Sequence, residues 1–154
     1  MAERELEEAL VARLVPFLTE LGVGFAFVGR QYPLRVGESD YRIDLLFYHC
    51  RLRCYVVVEL KTRKAEPEHI GKLGFYTAVV DDVLRDAEVD GPTIGILIAG
   101  SRDRAMVEYS LRGHNQPLAV SSWSGVPERV RALLPSAEDL TRVADAVLGT
   151  EPTS

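Results

Sequence analysis

Long apolar runs are missing from this chain of 154 residues, and with them any segment of the ~18–20 apolar residues that cross a bilayer as a helix. A basic amino-terminal region is missing too. The chain starts Met-Ala-Glu-Arg-Glu-Leu-Glu-Glu, unlike a secretory signal, so a cytoplasmic location without a membrane partner is expected. Cysteine is scarce: Cys50 and Cys54 are the only two, which excludes a disulfide framework, and a lone C-x-x-x-C is a poor zinc signal. Both read as small packing residues. There is no phosphate-binding P-loop, Gly100-Ser101 is not set in a nucleophile elbow, and Gly22-x-Gly24 lacks the third glycine of a dinucleotide fingerprint. Internal repeats, linkers and low-complexity segments are absent as well. An excess of positive charge is also lacking, the formal net charge being −5, whereas a dedicated nucleic-acid binder is usually basic overall.

What is present suits one folded domain. Hydrophobic residues make up 47% and charged residues 27%, enough apolar surface for a buried core and too much for disorder. A single domain over residues 1–149 with a loose tail, 150–154, is expected. Leu6, Leu10, Leu14, Phe17, Leu18 and Leu21 repeat at helical spacing, predicting a helix over 3–21 that Gly22 stops and Pro16 bends. Phe25–Arg30 and Tyr41–Tyr48 read as strands separated by a connection holding Pro33 and Gly37. Tyr55–Lys61 is a third strand. Pro67 opens a helix that runs through Ile70, Leu73, Phe75, Tyr76, Val79 and Val80. Thr93–Ala99 is an apolar run suited to a buried strand; a short helix over Ala105–Ser110, a strand over Leu118–Ser122 and a helix over Ala137–Leu148 follow.

The chemistry concentrates between residues 41 and 61. Alternation along a strand puts Glu59 and Lys61 on one face of the third strand, and puts Asp44 on one face of the second. A four-residue loop, His49–Leu52, would pair Tyr48 with Arg53, set Asp44 opposite Val57 and make Glu59 its diagonal neighbour at ~7–8 Å. An odd slip in that hairpin would send Asp44 to the other face. Two convergent carboxylates with an adjacent ammonium form the minimum apparatus for metal-assisted phosphodiester hydrolysis. The plain alternative is a structural ion pair of Lys61 with Glu59 or Asp44, since charge at the end of the buried run Tyr55-Val56-Val57-Val58 is costly unless compensated. His49 and His69 flank this group in sequence and read as ordinary packing or surface histidines, and His114 sits in a loop.

Charge is unevenly spread. Residues 30–64 hold eight of the eighteen basic residues against four acids and form the only basic segment. Such a segment can meet phosphates, with Arg51 and Arg63 as candidate contacts, though it serves equally as a solubilising surface.

The order helix, strand, Asp44, strand with Glu59-x-Lys61, helix resembles the PD-(D/E)XK nuclease superfamily. The blocks ELGVGFAFVGRQ, YRIDLLFYH, LRCYVVVELK, HIGKLGFY and PTIGILIAG, in that order over about residues 20–135, are similar to the C-terminal nuclease-like domain of the YhcG family of bacterial proteins. The resemblance implies an α/β, restriction-endonuclease-like fold, a mixed central sheet flanked by helices with an αβββαβ core. It makes Asp44 and Glu59 metal-binding acids, Lys61 the catalytic lysine, and Gln31 and Tyr76 substrate-pocket residues. The Leu60 carbonyl could add a third oxygen to a hard cation, Mg²⁺ or alternatively Mn²⁺. A further acid on the first helix is frequent in the superfamily, and Glu8 and Glu20 are the candidates. One departure stands out: Lys72 follows Gly71 where that family commonly has glutamine. The function so implied is metal-dependent hydrolysis of DNA phosphodiester bonds. The alternative is a nuclease-like domain without turnover, serving as a nucleic-acid-binding or protein-interaction module. Members of the family usually carry a separate helical domain, so a helical partner domain or chain is expected besides DNA. A homo-oligomer is left open.

Overall fold

The computed structural model describes residues 12, 24–101, 103–115 and 117–120. Five strands, β1 (Phe25–Val36), β2 (Ser39–His49), β3 (Cys54–Lys64), β4 (Ile94–Ser101) and β5 (Leu118–Val120), form one sheet in sequence order. The first three are antiparallel neighbours joined by hairpins, while β4 and β5 run parallel to β3. Parallel neighbours need crossovers, and two helices supply them: α1 (Pro67–Val83) between β3 and β4, and α2 (Arg104–Arg112) between β4 and β5. The expected mixed sheet with Pro67 opening a helix is therefore what forms. Of the predicted helix over 3–21 only residue 12, which is helical, is described; the predicted helix Ala137–Leu148, residues Ser121 and Ser122 and the tail lie outside the described residues.

Local chemistry explains where α1 begins and which face it buries. Pro67 takes a first-turn position where no backbone donor is needed, and the Glu66 N–H donates to His69 Nδ1 at 3.0 Å. Ile70, Leu73, Thr77 and Val80 recur at helical spacing and are buried with Tyr76. They join Leu46, Val57, Leu97, Leu118 and Val120 of the sheet in one core. The helix crosses the sheet closely at Gly95, where a Cβ would meet Leu118 Cδ2 at 2.7 Å and Leu73 Cγ and Thr77 Cγ2 at 2.9 Å.

Two connections differ from expectation. The Pro33 segment is not a loop: β1 continues to Val36, and a two-residue turn, Gly37-Glu38 with Gly37 at φ +61°, joins Val36 to its partner Ser39. Proline is tolerated there because, among the described residues, β1 is an edge strand paired on one side alone. In the β2–β3 hairpin Tyr48 pairs with Tyr55 rather than Arg53, and His49 pairs with Cys54, so the loop is Cys50–Arg53. His49 anchors this turn twice. Its carbonyl accepts from the Arg53 N–H at 2.7 Å and its Nδ1 from the Leu52 N–H at 3.1 Å. Arg53 takes the left-handed conformation at φ +53° and its carbonyl accepts from the Gly91 N–H at 2.7 Å. The register thus shifts by two positions, an even number, which leaves Asp44 on the same face as Glu59.

Because the Gly95 contact is made by branched side chains already packed at the helix–sheet interface, Gly95→Ala should destabilise the protein by about 1–3 kcal/mol, the range for an overpacked core. Urea unfolding of the two proteins measures it. Equal midpoints would show that α1 can lift away from β4 without loss.

Candidate metal centre

The β2–β3 ladder ends at the pair Leu45–Val58, and the next residue on each strand is an acid, Asp44 and Glu59. Beyond that point the two carboxylates replace the backbone pairing. The Asp44 N–H donates to Glu59 Oε2 at 2.8 Å, and the Leu60 N–H donates to Asp44 Oδ2 at 2.8 Å. Each acid therefore holds the other's strand, and both side chains stand at the same place on the sheet. The diagonal relation predicted from a Tyr48–Arg53 pairing becomes a direct one.

Glu59 is 3% exposed. Burial, followed by the neighbouring Asp44 charge, pushes its carboxyl up to about 8, against the opposing pull of the Asp44 N–H, Lys72 and Lys61. Lys61 is half-buried one position beyond Leu60. No ion pair within 4 Å joins Asp44 or Glu59 to a lysine or arginine among the described residues, so the structural ion pair is not what forms here. Glu59 is held by one backbone donor beside a like charge, which is the uncompensated burial that a cation would relieve.

Gln31 and Tyr76 border the pair. Gln31 lies between Arg30 and Tyr32, whose partners Leu45 and Ile43 flank Asp44, and its Nε2 donates to Asp44 Oδ1 at 3.3 Å. Its φ of +47° places a non-glycine residue in the left-handed region, at a cost of about 1–2 kcal/mol. Tyr76 reaches the site from α1, close enough to Glu59 and Asp44 to feel both charges. Burial, then the charges of Glu59 and Asp44, push that hydroxyl up to about 12, so it stays protonated across the working pH range.

Other candidates are placed elsewhere. Arg51 is exposed in the Cys50–Arg53 turn, past the end of β2 at His49, which itself lies five strand positions or ~17 Å from Asp44. At the other hairpin tip Arg35 pairs with Asp40 at 3.6 Å, so the basic segment is dispersed along the sheet rather than gathered at the acids. The side chain of Arg63, and all of Glu8 and Glu20, lie outside the described residues. His69 caps α1, His49 anchors the hairpin turn, and His114 stands over Gly74, whose added Cβ would meet its Nδ1 at 2.8 Å. Sequence reasoning missed Tyr41, whose ring packs on Phe75 at 5.0 Å and Tyr76 at 6.2 Å. Its position three residues before Asp44 was the available signal. Lys72 was visible as a departure, and its ammonium lies 5.5 Å from the Tyr76 ring centroid.

The donor set fits a hard divalent cation. Asp44 and Glu59 offer carboxylate oxygens at one spot, and the Leu60 carbonyl belongs to the same stretch of β3, next to Glu59. Among the described residues no group of three or more His, Cys, Asp and Glu gathers anywhere, so a set based on thiolate or imidazole is not offered.

Comparison with known proteins agrees with this reading of the fold. The profile of the YhcG PDDEXK nuclease domain matches residues 1–136. The Escherichia coli (strain K12) protein named "Putative nuclease YhcG" is 35% identical over 144 residues, which cover 92% of this chain and 36% of that protein. The chain thus spans about a third of the length of the curated relative it matches. Among solved structures, a repair endonuclease from Pyrococcus abyssi superposes with a TM-score of 0.54 at 23% identity, over 73% of this chain and 45% of the other. That likeness is one of fold, an α/β nuclease sheet of the restriction-endonuclease type.

A carboxyl raised to about 8 in the folded state and ordinary when unfolded keeps a proton that the unfolded chain has lost. Without metal, stability should therefore fall as pH rises from about 4.5 to about 8 and level off above that. Glu59→Gln, which retains an acceptor for the Asp44 N–H, should remove this slope and be the more stable protein at pH 8. Parallel melting curves of both proteins in chelator at several pH values decide it, and superimposable pH profiles would refute the buried-charge account.

Proposed function

This chain belongs to the YhcG PDDEXK nuclease domain family, and from that membership and the mutually held carboxylates of Asp44 and Glu59 we propose that it hydrolyses DNA phosphodiester bonds with Mg²⁺. The carrying observation is the pair of 2.8 Å bonds that lock two acids together at the edge of the β2–β3 ladder with Lys61 beside them. Asp44, Glu59 and the Leu60 carbonyl would hold the ion, with Mn²⁺ as a substitute. A bound divalent ion supplies Lewis acidity toward a phosphoryl oxygen and makes water a usable nucleophile near neutral pH.

The protein's own residues divide the remaining work. Gln31 turns Asp44 through Oδ1 while the Leu60 N–H fixes Oδ2, so the carboxylate is oriented from both sides. Lys61, half-buried, brings a positive charge to the oxygens on which negative charge grows during in-line attack. Tyr76 stays protonated and packs α1 against this β2 segment through the Tyr41 ring. No nucleophilic side chain is required. Because the chain spans about a third of its curated relative, a helical domain or second chain that supplies DNA affinity is part of the proposal.

Titration with Mg²⁺ or Mn²⁺ beside a nicking assay on supercoiled DNA tests this reading. Lys61→Ala should lower turnover by ~10²-fold or more with little change in metal affinity, the signature of charge stabilised only in the transition state. Asp44→Asn should lose metal binding and cleavage together, and Arg51→Ala, remote from the acids, should cleave like wild type. Undiminished cleavage by Asp44→Asn would refute this site. A wild type that binds nucleic acid with a normal salt slope but cleaves no DNA or RNA would assign the chain to the non-catalytic module.

A further inference from the structure

Next to the acid pair lies a cluster of rings that the hydrolytic chemistry does not use. Tyr41 on β2 packs against Phe75 of α1 with centroids 5.0 Å apart and planes tilted by 60°, and Tyr76 completes the group at 6.2 Å from Tyr41 and 5.9 Å from Phe75. Of the three, Tyr76 alone is buried, at 2% exposure. Phe75 is 38% exposed and Tyr41 half-buried. The core does not require Phe75 to be where it is, since the buried stripe of α1 runs through Ile70, Leu73, Thr77 and Val80. Lys72 is exposed on the same rim of the helix, three residues from Phe75 and four from Tyr76, with its ammonium 5.5 Å from the Tyr76 centroid. Its charge, like that of Lys61, pulls on the Glu59 carboxyl, so it faces the acid pair.

A continuous duplex offers this surface nothing for the rings. Its bases are stacked and paired, and only phosphates and groove edges are accessible. An unpaired nucleotide presents both complementary features, a flat base for an exposed aromatic face and a phosphate for an ammonium. We propose that Phe75 and Tyr41 form a stacking platform for an unpaired base and that Lys72 holds a phosphate of the same strand, so that the substrate is nucleic acid with unpaired nucleotides at the cleaved position. This rests on the nuclease reading for the word "cleaved", and on the rings and the lysine for the rest. Lys72 then explains the departure visible in the sequence: an uncharged amide is replaced by a cation that pulls the strand toward a site with two acids.

The test uses the chain with Ca²⁺ and a single-stranded DNA oligonucleotide carrying 2-aminopurine, whose fluorescence is quenched by stacking. A matched duplex and a duplex with an internal unpaired bubble serve as competitors and, with Mg²⁺, as cleavage substrates. Wild type should quench the probe, prefer bubble to continuous duplex, and keep both properties in Phe75→Trp. Phe75→Leu, which retains apolar packing, should lose the quench and bind single strand roughly tenfold more weakly, the scale for one stacked base. Lys72→Gln should keep the quench at saturation while its salt dependence falls by about 0.7 in log–log slope. Equal affinity for duplex and bubble, or an unchanged quench in Phe75→Leu, would overturn the platform. If wild type cleaves nothing and the quench still depends on Phe75, the platform stands and the nuclease reading falls. Cleavage of continuous duplex as fast as bubble, without quench, upholds the nuclease and overturns the platform.

Discussion

Everything at this site depends on the point where β2 and β3 stop pairing through their backbones and start pairing through two carboxylates. Up to Leu45–Val58 the hairpin is ordinary antiparallel ladder. One residue further, Asp44 and Glu59 each accept a backbone N–H from the opposing strand. Each carboxyl supplies the acceptor that the interrupted ladder lacks, so the exchange keeps the strands together while turning two acids inward. Were both ionised, two negative charges would be confined where solvent is scarce. The fold tolerates that arrangement by leaving Glu59 protonated near neutrality, and the same tension makes the pair receptive to a cation.

The neighbouring elements can be read as supports for that junction. At the far end of the hairpin His49, Arg53 and Gly91 tie the turn to the segment before β4, and the Tyr48 hydroxyl donates to Asp90 Oδ1 at 2.5 Å. On the open side, the edge strand β1 places Gln31 in a left-handed conformation opposite Asp44, and α1 packs Tyr76 against Tyr41. Backbone strain at a non-glycine residue persists only where its surroundings over-determine it, and Gln31 is held between two regular ladder positions. The firm end of the hairpin thus carries no acids, and the acids sit where strand pairing is interrupted.

Much of this was legible in the chain itself. Period-two alternation put Glu59 and Lys61 on one face, and an even-length hairpin was sufficient to bring Asp44 to it, even though the loop begins and ends one residue later than expected. The difference came from His49, which a propensity argument places in the turn and which in fact anchors it through its carbonyl and imidazole. Pro33 misled for a similar reason: proline breaks an internal strand but not an edge strand, and strand order is a property of the whole sheet. The replacement of backbone pairing by carboxylates, the left-handed Gln31 and the ring contacts of Tyr41 have no one-residue signature. Arg51 shows the reverse, for nearness in sequence to Glu59 became distance at the far tip of the hairpin.

Charge then connects the acid pair to the substrate. A site with two carboxylates in a chain of net charge −5 repels a phosphate backbone, and its basic residues are spread along the sheet rather than focused. Two local cations, Lys61 and Lys72, oppose that repulsion at the pair itself. On the proposed function, a divalent ion that neutralises Asp44 and Glu59 strengthens the hold on the strand, and by linkage the strand strengthens the hold on the ion by the same factor. Neither partner alone finds a fully favourable site. On that proposal, such mutual dependence would keep an acidic domain from gripping nucleic acid indiscriminately and would leave bulk affinity to a further domain or chain.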